Sequence, residues 1–292
     1  MSASPVFSSA ATGRPFIFPP AFPPRSTAGN PAKTAASVLA HVGALPKLAS
    51  VVPATGLEVR QSPEMVSSGI PQLDSLTGGF PRGCLTEICG TASSGRTSVI
   101  LLALARATQR GEVCALVDAS NAFNPASAAH AGMEMNRLLW VRCGEKSPSP
   151  KHPSARANFA QLEQVLKVTD LLLQSNGFGM IALDLGDIPP ASARRIPLAS
   201  WFRFRRAVEH TPTALLVLER QPIAGSCSSV LLKVSAVSAQ VSGKKIHKPA
   251  HSELLDHLEI TAELLRSRLE RKLERKPVQS TTNFKSRAAW TG

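Results

Sequence analysis

The chain has 292 residues, of which 43% are hydrophobic, and its 33 Lys and Arg outnumber 20 Asp and Glu to give a formal charge of +13. It is long enough for one full-sized domain with tails or for two small domains. No apolar run is long enough to span a membrane, and five scattered cysteines without a CxxC pair argue against a disulfide framework or a zinc site. We therefore expect a cytoplasmic protein whose basic character suits a polyanionic partner.

The first 57 residues contain no Asp or Glu and are rich in Pro, Ala and Ser. Such a composition predicts a disordered arm over residues 1–57. Its repeated prolines argue against the amphipathic helix of a transit peptide, and it lacks the apolar segment of a secretory signal. We expect the folded core to cover residues 58–268 and a basic C-terminal tail to cover residues 269–292.

Within the core, short apolar strands alternate with helices. Strands are predicted at 84–90, 112–120, 137–144, 179–187, 213–218 and 230–241. Helices are predicted after residue 95 up to Gly111, from Pro125, over 158–177 and over 201–211, with a polar connector at 144–158. This alternation predicts an α/β fold with a mainly parallel sheet and helices on both faces.

The last part of the core allows two interpretations. Residues 257–268 fit a strand with Leu258 and Ile260 on one face, and they also fit a helix through Leu258 and Leu265. We favour a strand for the first half and a helix or disorder beyond Arg268.

The stretch GTASSGRTS, residues 90–98, has the length and glycine placement of a phosphate-binding loop between a strand and a helix, and we call it the phosphate loop. Such loops point backbone N–H groups at phosphate oxygens, and the helix N-terminus adds partial positive charge. The predicted nucleotide-binding residues are Gly90, Ser93, Ser94, Gly95, Arg96, Thr97 and Ser98. Thr97 and the strand-end Asp184 are the predicted Mg²⁺ ligands, with ATP as the nucleotide.

Arg96 stands where such loops carry lysine. A guanidinium is larger than an ammonium, is planar and prefers forked contacts. It can still neutralise a phosphate, but hydrolysis requires tighter positioning. Two interpretations stay open: a loop that binds a nucleotide, and a degenerate loop retained for the fold.

From about Ser67 to Leu232 the chain resembles the RecA core. The stretch from GIPQLD to the phosphate loop has an LD turn, a GG turn, a strand and the loop in the same order as a RecA nucleotide site, and ALVDASNAFNPASAAHAGM is similar to the RecA stretch that follows. Three residues of the family's nucleotide site are replaced in this chain. The resemblance implies that Ser120 stands where the family has a catalytic glutamate, Ser127 where it has an adenine-stacking tyrosine and Asn124 where it has an adenine-contacting aspartate. A serine cannot act as the general base. No catalytic residue is predicted, and we expect at most a weak ATPase.

Two features of the chain resemble the ImuA group of SulA-like RecA paralogues. The first is a shortened core, in which only residues 220–229 stand in place of a long DNA-binding loop. The second is the basic helix that leads into a strand over 199–222. This resemblance implies an accessory role in the bacterial SOS response, DNA repair and translesion synthesis. It implies an ImuB-like Y-family protein and an error-prone polymerase as partners, with DNA at the nucleoid. The residues predicted to contact DNA or a partner are Arg194, Arg195, Arg203, Arg205 and Arg206. A solvated charged face is the alternative.

Two other functions stay open on the sequence. The first is a divergent DNA-dependent ATPase that recruits Asp118 or Asp187 in place of the missing glutamate. The second is a stress-induced regulator that acts by protein contact alone.

Overall fold

The computed structural model describes residues 62–143, 155–242, 254–269 and 280–287. The helices are α1 (Pro71–Thr77), α2 (Arg96–Gln109), α3 (Pro125–His130), α4 (Ala155–Ser175), α5 (Pro190–Ala193) and α6 (Leu198–Val208). The strands are β1 (Met65–Val66), β2 (Phe80–Pro81), β3 (Cys84–Cys89), β4 (Cys114–Asp118), β5 (Leu138–Arg142), β6 (Met180–Asp184), β7 (Ala214–Glu219), β8 (Val230–Ser242), β9 (Leu254–Ser267) and β10 (Thr281–Arg287). The predicted arm over 1–57 lies outside the described residues.

Eight of the described strands form one sheet in the order β10-β9-β8-β3-β7-β6-β4-β5. The six strands from β8 to β5 are parallel, whereas β9 and β10 add an antiparallel edge beside β8. Strand β7 lies between β3 and β6, so the carboxyl ends of these three strands adjoin. In α/β folds ligands bind at such carboxyl ends.

Each face of the sheet is covered by helices and has its own hydrophobic core. On one face Leu73 of α1 and Val99 of α2 pack with inward residues of the central strands. On the other face Val165 of α4 and Trp201 of α6 are fully buried, and the Trp201 ring meets Phe204 edge-on at 5.8 Å. The central strands read as continuous apolar runs because both of their faces are buried. The predicted α/β class, with a mostly parallel sheet and helices on both faces, is confirmed.

Strand β8 is much longer than the strand it joins. Its residues Val230–Lys233 pair with β3, while its pairing with β9 continues to Ser242. Because β8 runs parallel to β3, the β8–β9 hairpin extends beyond the carboxyl end of β3. This hairpin, which we call the β8–β9 wall, lies beside the residues that follow β3.

The strand interpretation of residues 257–268 is confirmed, but the prediction of a basic tail over 269–292 is wrong for residues 281–287. These residues form β10, which pairs with β9 so that Phe284 lies opposite Ile260. Phe284 is 4% exposed and packs in the core beside α1 and α2. The segment TTNFKSR has a single apolar residue, which is too weak a pattern to predict a strand. Residues 270–279, where a helix was an alternative, lie outside the described ranges.

No helix in the described ranges is both long enough and apolar enough to cross a bilayer.

Candidate functional site

The phosphate loop connects the end of β3 to the start of α2, at the carboxyl edge of the sheet. Gly95 caps the helix in the left-handed region, with φ of 92°, and no side chain caps the helix N-terminus. The first intrahelical bond runs from the Val99 amide to the Gly95 carbonyl at 3.1 Å. The first-turn amides of Arg96, Thr97 and Ser98 therefore have no intrahelical acceptor. They and the helix dipole make this loop suited to an anion.

Two glycines of the loop are required by the β8–β9 wall. A Cβ on Gly90 would lie 2.3 Å from the Val234 carbonyl oxygen, and a Cβ on Gly95 would lie 2.2 Å from Ile260 Cδ1. At Gly90 the close neighbour is backbone, so a larger residue would displace the loop or β8, whereas at Gly95 the Ile260 side chain would have to move and the φ of 92° would add strain. The loop is therefore held from outside by strands that follow it by more than a hundred residues in the sequence.

Two polar atoms of the loop region are buried without a hydrogen-bond partner, namely Ser94 Oγ and Arg96 Nη1. Arg96 is 7% exposed, and its Nη2 donates to the Gly186 carbonyl at 3.4 Å. Burial lowers the pKa of Arg96, in spite of the nearby Asp184. Within the described residues its guanidinium forms no ion pair. Buried donors without partners are rare in native proteins, and these two fit a phosphate ligand.

Asp184 ends β6 at the same edge of the sheet. Its Oδ1 accepts a hydrogen bond from the Gly186 amide at 2.8 Å. Burial raises the pKa of Asp184 to about 6, and the negative charges of Asp118 and Asp187 add to the effect. The described residues contain no group of three or more His, Cys, Asp or Glu side chains that could hold a metal. Thr97 and Asp184 fit Mg²⁺ only together with phosphate oxygens and water, which is how Mg²⁺ usually binds.

Asp118, at the end of β4, organises the turn that contains Ser120. Its carboxylate is 1% exposed and accepts hydrogen bonds from the amides of Ser120, Ala122 and Phe123 at 3.2, 3.1 and 2.9 Å. The Trp140 indole donates a fourth bond at 3.2 Å. These four hydrogen bonds commit the carboxylate to the turn and to Trp140. The structure therefore gives Asp118 a structural role and does not support it as a substitute for the missing glutamate.

A buried carboxyl pair beneath the site was not predicted. Glu87 on β3 is fully buried, and its Oε1 accepts from the amides of Ile223 and Ala224 at 2.8 and 2.7 Å. Its Oε2 accepts from Ser228 Oγ at 2.7 Å. Glu219, at the end of β7, is 1% exposed and hydrogen-bonds to Glu87. The only signals in the sequence were two glutamates within apolar strands.

The two carboxyl groups differ in protonation. Burial, together with the hydrogen bond and charge of Glu87, raises the pKa of Glu219 far above its usual range. Burial would also raise the pKa of Glu87, but hydrogen bonds from Glu219, Ser228 and Ala224 lower it. The proton of the pair therefore resides on Glu219, which donates a hydrogen bond to the ionised Glu87. The pair anchors residues 223–228, the short segment between β7 and β8.

The five predicted contact arginines do not form one free surface. Arg203 Nε donates to Asp170 of α4 at 2.8 Å, Arg205 Nη1 donates to the Ser226 carbonyl at 3.5 Å, and Arg194 donates to Gln221. Arg195 and Arg206 are exposed. Contact with DNA or a partner stays a prediction.

Two further arginines hold the same short segment. Arg266 Nη2 donates to the Gly225 carbonyl at 2.7 Å, and Arg268 Nη1 donates to the Ser226 carbonyl at 2.7 Å. Arg266 lies near the end of β9 and Arg268 directly after it, so the sequence alone could not place them beside residues 225 and 226.

A glycine-rich loop between a central parallel strand and a helix, with an acidic strand end beside it, defines the phosphate-binding-loop class of α/β folds. Residues 48–188 match the family model of the RecA N-terminal domain. The chain is 35% identical to Protein RecA of Nocardioides sp. over 131 residues, 44% of this chain and 33% of that protein. It is 36% identical to Protein RecA of Chlorobaculum parvum over 121 residues, 41% of this chain and 30% of that protein. These sequence matches support a RecA-like family for this chain.

The matched segment spans about a third of the length of these curated relatives. Among solved structures, a crystal structure of the RadB recombinase aligns with a TM-score of 0.49 at 18% identity, over 75% of this chain and 95% of that chain.

Proposed function

We propose that this chain is a RecA-like accessory protein of the DNA damage response that binds a nucleoside triphosphate and hydrolyses it weakly or not at all. One observation carries the proposal. The phosphate loop keeps free helix amides and an unpartnered buried guanidinium nitrogen on Arg96, while the turn after β4 offers Ser120 and an occupied Asp118 in place of a base. The site is therefore built to bind phosphate without activating water.

The residues of the chain would divide the work as follows. The first-turn amides of α2 and Arg96 bind phosphate oxygens, and Thr97 and Asp184 hold Mg²⁺, which neutralises phosphate charge when bound. Asp184 must be ionised to serve, and because burial raises its pKa to about 6, metal-dependent binding should weaken below that pH. The bound nucleotide then acts as a conformational switch and not as a source of energy through hydrolysis.

The finer role follows the ImuA resemblance. Under this proposal the protein works in translesion synthesis with an ImuB-like Y-family protein and an error-prone polymerase, in the bacterial cytoplasm. The formal charge of +13 and the short segment 220–229 support a protein that contacts nucleic acid without forming a recombinase filament.

Nucleotide binding is the first test. We expect saturable binding of a fluorescent ATP analogue with Mg²⁺, weakened on the order of tenfold or more in Arg96→Ala, because charge-assisted hydrogen bonds to phosphate are lost. Thr97→Ala should weaken binding only when Mg²⁺ is present. Arg195→Ala, which removes the same charge from an exposed position, serves as the control. A wild-type protein that shows no saturable binding would make the phosphate loop a structural remnant.

DNA contact is tested by the salt dependence of single-stranded DNA binding. We expect Arg206→Gln to lower the slope of log affinity against log salt by about 1, because one phosphate contact is removed. Arg203→Gln is the matched control on the same helix, since Arg203 is bound to Asp170. Equal slopes in wild type and both variants would show that α6 does not face DNA.

A further inference from the structure

Helix α6 exposes an apolar strip on its outer side. The helix buries Trp201 and Phe204 against the sheet, whereas Leu198 and Phe202 are 49% and 45% exposed. Leu198 and Phe202 are four residues apart, so they lie next to each other on one face of the helix. Two large apolar side chains that adjoin on a surface indicate a contact site more strongly than scattered single ones do.

The strip lies along the short segment that joins β7 to β8. A Cβ on Gly225 would lie 3.8 Å from Leu198 Cδ1. Arg205 follows Leu198 by two helical turns on the same side of α6 and donates to the Ser226 carbonyl at 3.5 Å. Phe202 lies between Leu198 and Arg205 on the helix. The apolar strip therefore has this segment along one of its sides.

Three arginines surround the strip at this segment. Arg266 Nη2 donates to the Gly225 carbonyl and Arg268 Nη1 donates to the Ser226 carbonyl, each at 2.7 Å. Arg205 shares the Ser226 carbonyl. A guanidinium has five N–H donors in a planar fork, so each of these arginines keeps donors for a further acceptor. The carbonyls hold the three side chains in place, which lowers the entropic cost of binding a partner.

The positive charge of these arginines is offset at one of them. Glu87 lies 3.5 Å from Arg266 and is fully buried. Arg205 and Arg268 form no ion pair within the described residues. The next acid along α6 is Glu209, at the C-terminal cap of the helix. The surface therefore combines an apolar centre with a cationic rim that suits an anionic partner.

Charge also decides which molecule fits this surface. None of the chain's own segments outside the described ranges has more acidic than basic residues, namely 1–61, 144–154, 243–253, 270–279 and 288–292. A second copy carries the same formal charge of +13. A DNA strand has the opposite charge, but Leu198 cannot stack on a base as an aromatic side chain does. The occupant that fits is an acidic segment of another protein with apolar side chains.

We propose that Leu198, Phe202, Arg205, Arg266 and Arg268 form a docking site, the α6 patch, for an acidic segment of another protein that carries apolar side chains. The apolar side chains of the partner cover Leu198 and Phe202, and its carboxylates bind the remaining guanidinium donors. Arginine and large apolar anchors carry much of the energy of protein interfaces. The α6 patch is separate from the phosphate loop, so the proposal stands whether or not the loop binds a nucleotide.

The test measures, by fluorescence anisotropy, how the full chain binds a labelled synthetic peptide with glutamates on both sides of a Leu-Phe pair. We expect saturable binding with a Kd on the order of micromolar. Phe202→Ser should weaken binding on the order of tenfold, because the apolar contact at the centre of the patch is lost. Arg268→Gln should weaken binding by about fivefold and reduce its salt dependence, because one charge-assisted contact is lost.

Two variants outside the α6 patch serve as matched controls. Leu171→Ser makes the same kind of apolar-to-polar change on α4, where Leu171 is 66% exposed. Arg203→Gln removes one positive charge from the side of α6 that faces α4, where Arg203 is bound to Asp170. Both should leave the peptide affinity within about twofold of the wild type, since neither residue contacts the bound peptide.

Charge reversal separates recognition from damage to the fold. Arg268→Glu should lose the acidic peptide and bind a peptide with lysines in place of the glutamates more tightly than the wild type does, which a misfolded variant would not do. The proposal is overturned if the wild type shows no saturable binding, or if a peptide with Ser-Ser in place of Leu-Phe binds equally well. It is also overturned if Phe202→Ser weakens single-stranded DNA binding and leaves peptide binding unchanged, because the patch would then face nucleic acid.

Discussion

Replacement of Glu87 by alanine should lower the free energy of unfolding by about 3–5 kcal/mol, the range for breaking a buried charged network by removing one partner. The reason is that Glu87 accepts two amides of residues 223–224 and the Ser228 hydroxyl, and also receives the proton of Glu219. Its loss leaves the buried Ala224 amide without an acceptor and leaves the Ile223 amide with only Glu219 Oε1, at 3.2 Å. Urea unfolding at neutral pH measures the change.

Glu219→Gln is the matched comparison, and we expect it to change the stability by less than about 1 kcal/mol. Glutamine is neutral, has nearly the shape of a protonated glutamic acid and can still donate to Glu87. Its carbonyl can accept from the Ile223 amide, which now bonds to Glu219 Oε1 at 3.2 Å. If Glu219→Gln proves as damaging as Glu87→Ala, the proton does not reside on Glu219.

Replacement of Asp184 by asparagine should have opposite effects on stability and on binding. With the pKa raised from 3.8 to about 6 by burial, the native state holds this proton more tightly than the unfolded state. The carboxyl group therefore costs stability as the pH rises from about 4, and the full cost of about 3 kcal/mol is reached above pH 7. Asparagine removes that cost and keeps the acceptor for the Gly186 amide.

We therefore expect Asp184→Asn to stabilise the protein by up to about 3 kcal/mol at pH 8 and by less than half of that near pH 4.5. The same variant should lose the Mg²⁺-dependent part of nucleotide binding, because a neutral amide is a weaker Mg²⁺ ligand than a carboxylate. Denaturant unfolding at the two pH values, with parallel titration of nucleotide, checks both effects. A gain that is equal at both pH values would mean that Asp184 titrates as an ordinary surface carboxyl.

The features that sequence reasoning found share one property: each is encoded locally. The phosphate loop, the strand that ends at Asp184 and the basic helix α6 are contiguous patterns, so their residues could be assigned from the order of amino acids alone. The alternation of strands and helices is also a local pattern. Strands β4, β6 and β7 are buried on both faces of the sheet, and their sequences are therefore continuous apolar runs.

The features that it missed depend on the pairing of distant strands. Glu87 and Glu219 meet only because β3 lies next to β7, and Arg220 reaches Gly186 only because β7 lies next to β6. Strand β10 is recognisable through its register with β9, not through its composition. Pairings of this kind leave no periodic signal in a single sequence, which is why the surroundings of the loop could not be predicted while the loop could.

The wall against the phosphate loop has a practical consequence for fragments of this protein. The family match ends at residue 188, but β7, which separates β3 from β6, begins at Ala214, and the hairpin against Gly90 and Gly95 follows it. A fragment cut at the end of the match would contain the whole motif and leave both central strands without their shared neighbour. The segment that matches the family model is therefore shorter than the segment that folds as one unit. An expression fragment must extend through β10 to keep the phosphate loop in its folded position.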